Sequence, residues 1–317
     1  YGTVKEKMLP HLRQFFITRD GKILDKINNG IFYDGNGGKN LAATIQKTLE
    51  NILFEELDKY HSNIPLIVTG GCALNVIINE KIKDRYKREV YVPPNPHDGG
   101  LSLGHMFCYQ TPKERVDVTY NGLPLLDRDK LKDYETKKVT KKDIARLLKD
   151  GKIIGLIYGD SEVGPRALGN RSIVCDPNIA NMKDILNSKV KHRESYRPFA
   201  PFCKKEDVHK YFESRDFENM EYMSFAVKVK VNTLPSITHV DGTARLQTVT
   251  EESHSHFYEL LTEFGKISDT NVLLNTSFNT RGKPILSTIS NAVDILNKTD
   301  LDYVVVNDHL ILNNFID

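Results

Sequence analysis

Short apolar runs alternate with amphipathic helical stretches along this chain of 317 residues, and that alternation most constrains its fold. Residues 65–69 predict a buried strand that runs into a glycine turn and then a helix. A second series begins with a helix over residues 141–148 and a strand over residues 153–158. Strands that alternate with helices in this way predict an α/β fold.

Apolar periodicity predicts most of the other elements. Helices are predicted over residues 41–60, 72–82, 101–109, 182–189, 257–264 and 292–298, the last with Ser290 as its N-cap. Strands are predicted over residues 90–92, 224–231, 272–274, 303–306 and 309–312. The chain begins with a predicted hairpin, strands 13–18 and 22–27 around Asp20-Gly21, and a loop over residues 34–38.

The composition is that of an ordinary globular protein, with 39% hydrophobic and 27% charged residues. A formal net charge of +2 gives no support to nucleic-acid or membrane binding, so an anionic ligand must be recognised by a local cluster of charge. The sequence contains no run of about 18 apolar residues and no signal peptide, which predicts a cytoplasmic protein. Four cysteines without a CxxC pair predict reduced thiols: Cys72, Cys108, Cys175 and Cys203.

The most informative segment is basic and lies between Arg166 and Lys205, where nine Lys or Arg residues occur. Glycine and proline interrupt it, as at Gly164-Pro165, so we expect the arginines on turns or short elements and not on one solvated helix face. The planar guanidinium fork matches phosphate and carboxylate oxygens. The segment therefore predicts a pocket for a compact polyanion. A surface basic patch with structural ion pairs to Glu162, Asp176, Asp184 and Glu194 is the alternative.

Three weaker signals accompany this segment. The apolar strand before Asn275 ends in polar side chains, and α/β sheets bind ligands at the carboxyl ends of strands; an ordinary strand-to-loop turn is the alternative. Gly70-Gly71 would let backbone N–H groups approach a phosphate at a helix start, or is a simple tight turn. Asp98, on a glycine turn, is a candidate metal ligand or a cap for the following helix.

Taken in order, these motifs resemble the NodU/CmcH-type O-carbamoyltransferases over essentially the whole chain. The resemblance is carried by residues 70–75, 92–94, 98–100 with Gly104, 164–172, 193–194 with 197–201, 241–247 and 275–279.

The resemblance implies two α/β domains. Residues 1–112 would be the carboxy-terminal part of an actin-like, Kae1/TsaD-type carbamoyl-transfer domain, residues 113–137 a polar linker, and residues 138–317 a YrdC/Sua5-type twisted α/β domain. The latter would convert carbamoyl phosphate and ATP into carbamoyl-adenylate. The former, with nucleotide and an iron-type metal, would pass the carbamoyl group to a hydroxyl of a small-molecule acceptor. Mg²⁺ would accompany ATP.

The resemblance also implies roles for individual residues. The group gripping carbamoyl phosphate and the ATP phosphates would be Arg166, Arg171, Lys189, Lys191, Arg193 and Arg197, with Ser172 and Arg245. The adenylation pocket would be completed by Asn275, Ser277 and Asn279. In the first domain, the nucleotide would face Gly70, Gly71 and Asn75, and Asp98 would bind metal.

The chain departs from the family at its start. Tyr1-Gly2 resemble the end of a motif that lies inside family members, which implies a fragment or split protein lacking the metal-ligating histidine pair. Association with that missing portion, or a homodimer, would then be expected. Two other functions stay open: a non-catalytic nucleotide-binding or assembly module, and an enzyme of tRNA modification that makes threonylcarbamoyl-adenylate.

Overall fold

The fold is given by a computed structural model, which describes residues 2–20, 22, 37–60, 63–114 and 116–312. The chain divides into two compact units, Tyr1–Ile64 and Pro65–Asp317. Among the described residues, no helix is both long and apolar enough to cross a membrane.

The first unit contains two packed helices, α1 (Leu9–Thr18) and α2 (Gly37–Leu57). α2 confirms the helix predicted over residues 41–60, but Gly37 and Gly38 begin it instead of forming a loop. The strand predicted over residues 13–18 is wrong, because Leu12, Phe15 and Phe16 recur at helical spacing and pack together. Residues 23–27 and 34–36 of the predicted hairpin and loop lie outside the described residues.

The second unit begins with short elements. Strand β1 (Leu66–Ile67) is followed by a 3-10 turn (Gly71–Leu74), α3 (Val76–Tyr86), β2 (Val90–Tyr91), a second 3-10 turn (Asp98–Gly100) and α4 (Leu101–Tyr109). β1 and β2 pair in parallel. The predicted strand, glycine turn and helix are confirmed, with both strands shorter than expected.

An eight-stranded mixed sheet dominates the second unit, in the order β10-β6-β11-β5-β4-β12-β13-β3. Its strands are β3 (Thr136–Lys138), β4 (Ile154–Ile157), β5 (Arg171–Cys175), β6 (Ala200–Lys204), β10 (Gln247–Val249), β11 (Val272–Ser277), β12 (Tyr303–Val306) and β13 (His309–Ile311). A smaller sheet contains β7 (Phe212–Glu213), β8 (Ala226–Val229) and β9 (Thr243–Arg245). β3 lies at the end of the stretch predicted to be a linker.

The helices of this unit are α5 (Lys141–Lys149), α6 (Met182–Ile185), α7 (Val208–Tyr211), α8 (Ser255–Gly265) and α9 (Ile289–Lys298). α5 and α8 pack together, and their apolar faces share one core with β4, β5, β6, β11 and β12. A capping box of Thr140 and Asp143 begins α5. α6 continues into a π-helical turn over Leu186–Val190.

One prediction made at an element end is wrong. The N-cap of α9 is Thr288, whose side chain accepts from the Asn291 N–H, and not Ser290. Arg171 lies on a short element, as predicted for the arginines of the basic segment, and begins the buried strand β5. β5 and β6 were not predicted, since arginine, glycine and proline around them signal turns. Both are interior strands of the large sheet, which places the basic segment against its core.

Candidate anion-binding site

The loop formed by residues 164–170 connects β4 to β5, and two glycines give it its shape. Gly164 has φ +132° and Gly169 φ +136°, a backbone region that residues with a Cβ rarely adopt. A Cβ on Gly164 would collide with the carbonyl oxygen of Pro94, and one on Gly169 would lie 2.6 Å from Nε2 of His254. Glycine is therefore required at both positions.

Glu162 holds this loop from within. One of its carboxylate oxygens accepts from the backbone N–H groups of Leu168 at 2.7 Å, Asn170 at 2.7 Å and Arg171 at 3.2 Å. The side chain is buried, and its second oxygen has no hydrogen-bond partner among the described residues. The sequence suggested Glu162 only as an ion-pair partner for a basic patch. The structure instead makes it a scaffold for the loop.

Arg171 also supports the loop. Its guanidinium is fully buried and donates to the carbonyl oxygens of Tyr158 at 2.7 Å, Asn170 at 2.8 Å and Gly159 at 3.0 Å. Burial lowers the pKa of this guanidinium. Because most of its donors bind backbone oxygens, Arg171 mainly fixes the shape of the loop in this conformation. The neighbouring Ser172 hydroxyl is buried, with no hydrogen-bond partner in the described part of the chain.

Four of the predicted arginines converge: Arg166, Arg193, Arg197 and Arg245. Burial, followed by the charges of the other three, lowers the pKa of Arg245 to about 9. Its Nε is buried, without a hydrogen-bond partner within the described ranges. Like charges held this close repel one another, and a bound anion would relieve that repulsion. A cluster of four such cations has the charge to bind a polyanion.

Arg193 is fixed within this cluster. Its Nε donates to Oδ1 of Asn187 at 2.7 Å, and its guanidinium lies over the ring of Phe199, 4.7 Å from the centroid. Burial and the nearby charge of Arg197 lower its pKa to about 10. Arg197 is more exposed and lies 3.9 Å from Glu194. One arginine is thus held rigidly while the next can adjust to a ligand.

Lys191 joins the basic segment to the polar end of β11. Its ammonium donates to the carbonyl oxygens of Ser277 at 2.6 Å and Asn279 at 2.7 Å, and to Oδ1 of Asn279 at 2.6 Å. The Ser277 hydroxyl donates to the same Oδ1 at 2.8 Å. Burial, followed by the charges of Arg193 and Arg197, lowers the pKa of Lys191 to about 7. Two segments singled out in the sequence therefore meet in one site.

Two predicted residues do not join the arginine cluster: Lys189 lies at the surface, and Asn275 faces the protein interior. Lys189 is exposed, and its ammonium lies 3.8 Å from the carboxylate of Asp300. Asn275 is fully buried, and its amide nitrogen donates to the Ala167 carbonyl at 3.0 Å and to Oε1 of Gln247 at 2.8 Å. Gln247, which ends the 241–247 motif but is not among the predicted site residues, is equally buried.

The predicted glycine turn lies beside the arginines. Gly70 has φ +88° and donates its N–H to the Pro96 carbonyl at 2.7 Å. The Asn75 side chain accepts from the Ile78 N–H at 3.2 Å and so caps α3. A Cβ on Gly70 or Gly71 would meet no atom within 4 Å. A narrow pocket links the two parts of the site, and its walls include Ala73, Pro94 and Arg166.

The predicted metal ligand, Asp98, lies in no group of three potential metal ligands within the described residues. Asp98 is exposed at the start of a 3-10 turn, and it does not cap α4, whose N-cap is Gly100 without a side-chain hydrogen bond. Within residues 2–20, 22, 37–60, 63–114 and 116–312, no three His, Cys, Asp or Glu side chains are grouped as a metal site requires. The described residues therefore do not form a metal site by themselves.

Comparison with known proteins identifies relatives of the chain. Residues 145–313 match the family described as carbamoyltransferase C-terminus, and residues 14–106 match carbamoyltransferase N-terminus. The nodulation protein NolNO of Sinorhizobium fredii is 39% identical over 299 residues, 86% of this chain and 44% of that protein. A 3'-hydroxymethylcephem-O-carbamoyltransferase of Streptomyces clavuligerus is 33% identical over 258 residues, 77% of this chain and 48% of that enzyme.

The chain thus spans about half the length of these curated relatives. A solved structure of full-length HypF in a phosphate- and nucleotide-bound form aligns with 56% of this chain at 18% identity. Its TM-score of 0.38 is too low to carry an argument about fold or function. The family matches cover both the glycine turn and the arginine cluster, and the chain belongs to the carbamoyltransferase family.

Proposed function

We propose that this chain belongs to an ATP-dependent carbamoyltransferase and that residues 138–317, as a YrdC/Sua5-type domain, form carbamoyl-adenylate. The observation that carries this proposal is the convergence of Arg166, Arg193, Arg197 and Arg245. Within the described residues, no carboxylate is among the causes that shift the pKa of Arg166 or Arg245. A triphosphate together with an acyl phosphate supplies the missing negative charge. Membership of the carbamoyltransferase family supports carbamoyl phosphate as the acyl phosphate.

The reaction has a simple balance. Water cleaves carbamoyl phosphate into phosphate and carbamate. A carbamate oxygen then forms a bond to the α-phosphorus of ATP, the bond from that phosphorus to the bridging oxygen breaks, and pyrophosphate leaves. The product is a mixed anhydride, in which AMP is a good leaving group for attack at the carbamoyl carbon.

The arginine cluster would act on the charge that develops during this reaction. Negative charge accumulates on the phosphate oxygens in the transition state, and fixed cations away from water stabilise it strongly. Arg193 is held by Asn187 and Phe199, so it reorganises little when the substrate binds. Arg166 and Arg245 would bind the oxygens from the other side, and Mg²⁺ bound to ATP would neutralise part of the remaining charge.

Transfer of the carbamoyl group would take place on the side of Gly70, Gly71 and Asn75. There the oxygen of an acceptor hydroxyl would attack the carbamoyl carbon, and AMP would leave with the bonding electrons. The acceptor would be a hydroxyl-bearing small molecule, as the name of the cephem-modifying relative indicates for that enzyme. This region would be part of an actin-like, Kae1/TsaD-type domain.

A metal in this region would need ligands beyond those described. Asp98 is exposed and lies in no group of three potential ligands within the described residues, so we derive no step through an iron-type ion. ATP and carbamoyl phosphate are metabolites of the cytoplasm, and we place the reaction there.

The experiment is isotope exchange between pyrophosphate and ATP, measured with and without carbamoyl phosphate. The proposal expects exchange that requires carbamoyl phosphate and that falls about 100-fold in Arg166→Ala, the usual cost of removing one group that stabilises the charge of a transition state. Lys189→Ala is the matched control, since this cation lies apart from the cluster. Exchange that is absent, or equal in Arg166→Ala, would overturn the proposal.

A second substrate set separates this function from threonylcarbamoyl-adenylate formation. Threonine and bicarbonate replace carbamoyl phosphate in the same exchange assay. Exchange that requires threonine would assign the chain to tRNA modification instead. Binding of ATP without any exchange would leave a nucleotide-binding module.

A further inference from the structure

Two buried amide side chains, Gln247 and Asn275, lie against the loop that carries Arg166. Gln247 begins β10 and Asn275 lies within β11, and neither side chain is exposed to solvent. The Asn275 amide nitrogen donates to Oε1 of Gln247 at 2.8 Å, so the two amides form a pair. Through the loop that they contact, they lie close to Arg166.

The pair binds the two carbonyl groups that follow Arg166. The amide nitrogen of Asn275 donates to the Ala167 oxygen at 3.0 Å, and that of Gln247 donates to the Leu168 oxygen at 2.8 Å. From the other side, Glu162 accepts from the Leu168 N–H at 2.7 Å. The peptide groups directly after Arg166 are therefore fixed through both donors and acceptors.

The loop needs such support because its own backbone does not define it. Gly164 and Gly169 bound it at positive φ, where glycine has many accessible alternatives. The strands behind the pair also carry other parts of the site. Arg245 lies two residues before Gln247, and Ser277 lies two residues after Asn275 on the same face of β11. The pair thus connects three parts of the anion site, which are the loop of Arg166, the segment of Arg245 and the polar end of β11.

We propose that Gln247 and Asn275 are positioning residues for Arg166, which set the guanidinium against the anion without contacting the anion themselves. This inference rests on the proposed function and deepens it. It gives Asn275 a role through the loop, where the family resemblance implied a place in the adenylation pocket. It adds Gln247, the last residue of the 241–247 motif, to which the resemblance gave no role.

A double-mutant cycle between Gln247 and Arg166 tests the inference. Gln247→Met keeps the volume of the side chain and removes its donor to the Leu168 carbonyl. We expect it to lower carbamoyl-phosphate-dependent exchange about 10- to 100-fold, the scale on which small misplacements of a catalytic group act. In an Arg166→Ala background the same change should have no further effect, because the residue that it positions is gone.

Asn271 provides the matched control. It precedes β11 at the end opposite to Ser277, and its amide nitrogen donates to Asp207 at 2.7 Å. Asn271→Ala should lower stability without coupling to Arg166→Ala. If the effects of Gln247→Met and Arg166→Ala multiply as those of independent sites do, Gln247 has a merely structural role and the inference is overturned.

A second variant covers the case in which Gln247→Met does not fold. Gln247→Glu keeps the shape but lacks the donor while the carboxyl is ionised, and it regains an O–H donor to Leu168 on protonation. Exchange by this variant, relative to wild type, should therefore recover as the pH is lowered. A constant ratio across pH contradicts the inference.

Failure of the proposed function can be distinguished from failure of the positioning role. A wild-type chain without exchange removes the proposed reaction, yet the same cycle can be measured on equilibrium binding of pyrophosphate by calorimetry. Coupling between Gln247 and Arg166 in that binding supports the positioning role. Independent effects on binding remove it.

Discussion

Two regions of the second unit carry predicted ligand-binding motifs, and they are built very differently. The glycine-turn region (residues 65–109) contains strands of two residues and the helix α4, none of whose residues is buried. The cation-site region (residues 138–312) contains the eight-stranded sheet, with its arginine loop held by buried carboxylate and amide groups. The second region thus fixes the polar groups of its arginine loop before any ligand binds.

The difference shows which region can hold charged side chains in position before a ligand binds. A charge cluster such as that of Arg193 and Arg245 is costly, and it persists because a well-packed sheet holds it. The apolar side chains of α4 remain open to solvent, with Leu101 59%, Met106 66% and Tyr109 95% exposed. Parallel sheets such as β1–β2 are normally covered on both faces. We therefore expect substitutions in the cation-site region to have larger effects on exchange and stability than substitutions in the glycine-turn region.

The largest effect should come from Arg245 in the cation-site region. Arg245→Met removes a buried cation next to three others, and we expect it to lower carbamoyl-phosphate-dependent exchange about 100- to 1000-fold. Its stability should change less than its activity, since the remaining arginines repel one another less. The measurement is exchange rate beside the urea midpoint. A large loss of stability with unchanged exchange would show that the cluster is structural.

The loop glycines should give the next largest effect, on folding. Gly164→Ala combines a strained φ of +132° with a collision against the Pro94 carbonyl, and we expect a loss of about 3 kcal/mol in unfolding free energy. Gly282→Ala is the control, since its φ is +74° but a Cβ there meets no atom within 4 Å. It should cost only about 1 kcal/mol. Equal losses in chemical denaturation would refute close packing at Gly164.

The pH dependence of stability should report on His254 beneath the loop. Its Nδ1 accepts from the Phe257 N–H and its Nε2 lies 2.8 Å from Oδ1 of Asn170, so the neutral ring satisfies both partners. Burial lowers its pKa from 6.5 to about 4. Between these values the unfolded chain binds more protons than the folded one, so stability falls as the pH drops from about 6.5 to 4. The maximum loss is about 3 kcal/mol.

His254→Gln isolates this contribution. Glutamine keeps a donor but does not titrate, so the fall in stability over that pH range should shrink by the share of His254. His239, whose pKa burial also lowers to about 4, keeps its own share in both proteins. Urea unfolding at pH 7.5 and pH 5 provides the comparison. An unchanged difference between the two pH values would mean that His254 is not held neutral.

The sequence predicted the alternation of helices and strands well, because periodicity records which face of an element is buried. It did not predict β5 and β6, where Arg171 and Pro201 lie in strands that tertiary packing imposes. Within the site, the arginines and the polar end of β11 were found from residue type. Glu162, Gln247 and His254 were not, because their roles depend on hydrogen bonds that only the folded loop creates. These are with the Leu168 N–H, the Leu168 carbonyl and Oδ1 of Asn170, in that order.

The smallest effect on exchange should come from substitutions in the glycine-turn region. They test whether that region takes part in adenylation. Asp98→Asn changes an exposed carboxylate, and Gly71→Ala adds a Cβ where no atom lies within 4 Å. Each should alter carbamoyl-phosphate-dependent exchange by less than about twofold, as is usual for substitutions at exposed positions that disturb no packing. Carbamoyl transfer to an acceptor hydroxyl, measured in a full-length family member with the same substitutions, should fall while exchange persists. Loss of exchange in either variant would mean that the glycine turn takes part in adenylation, and the two regions would then form one catalytic site.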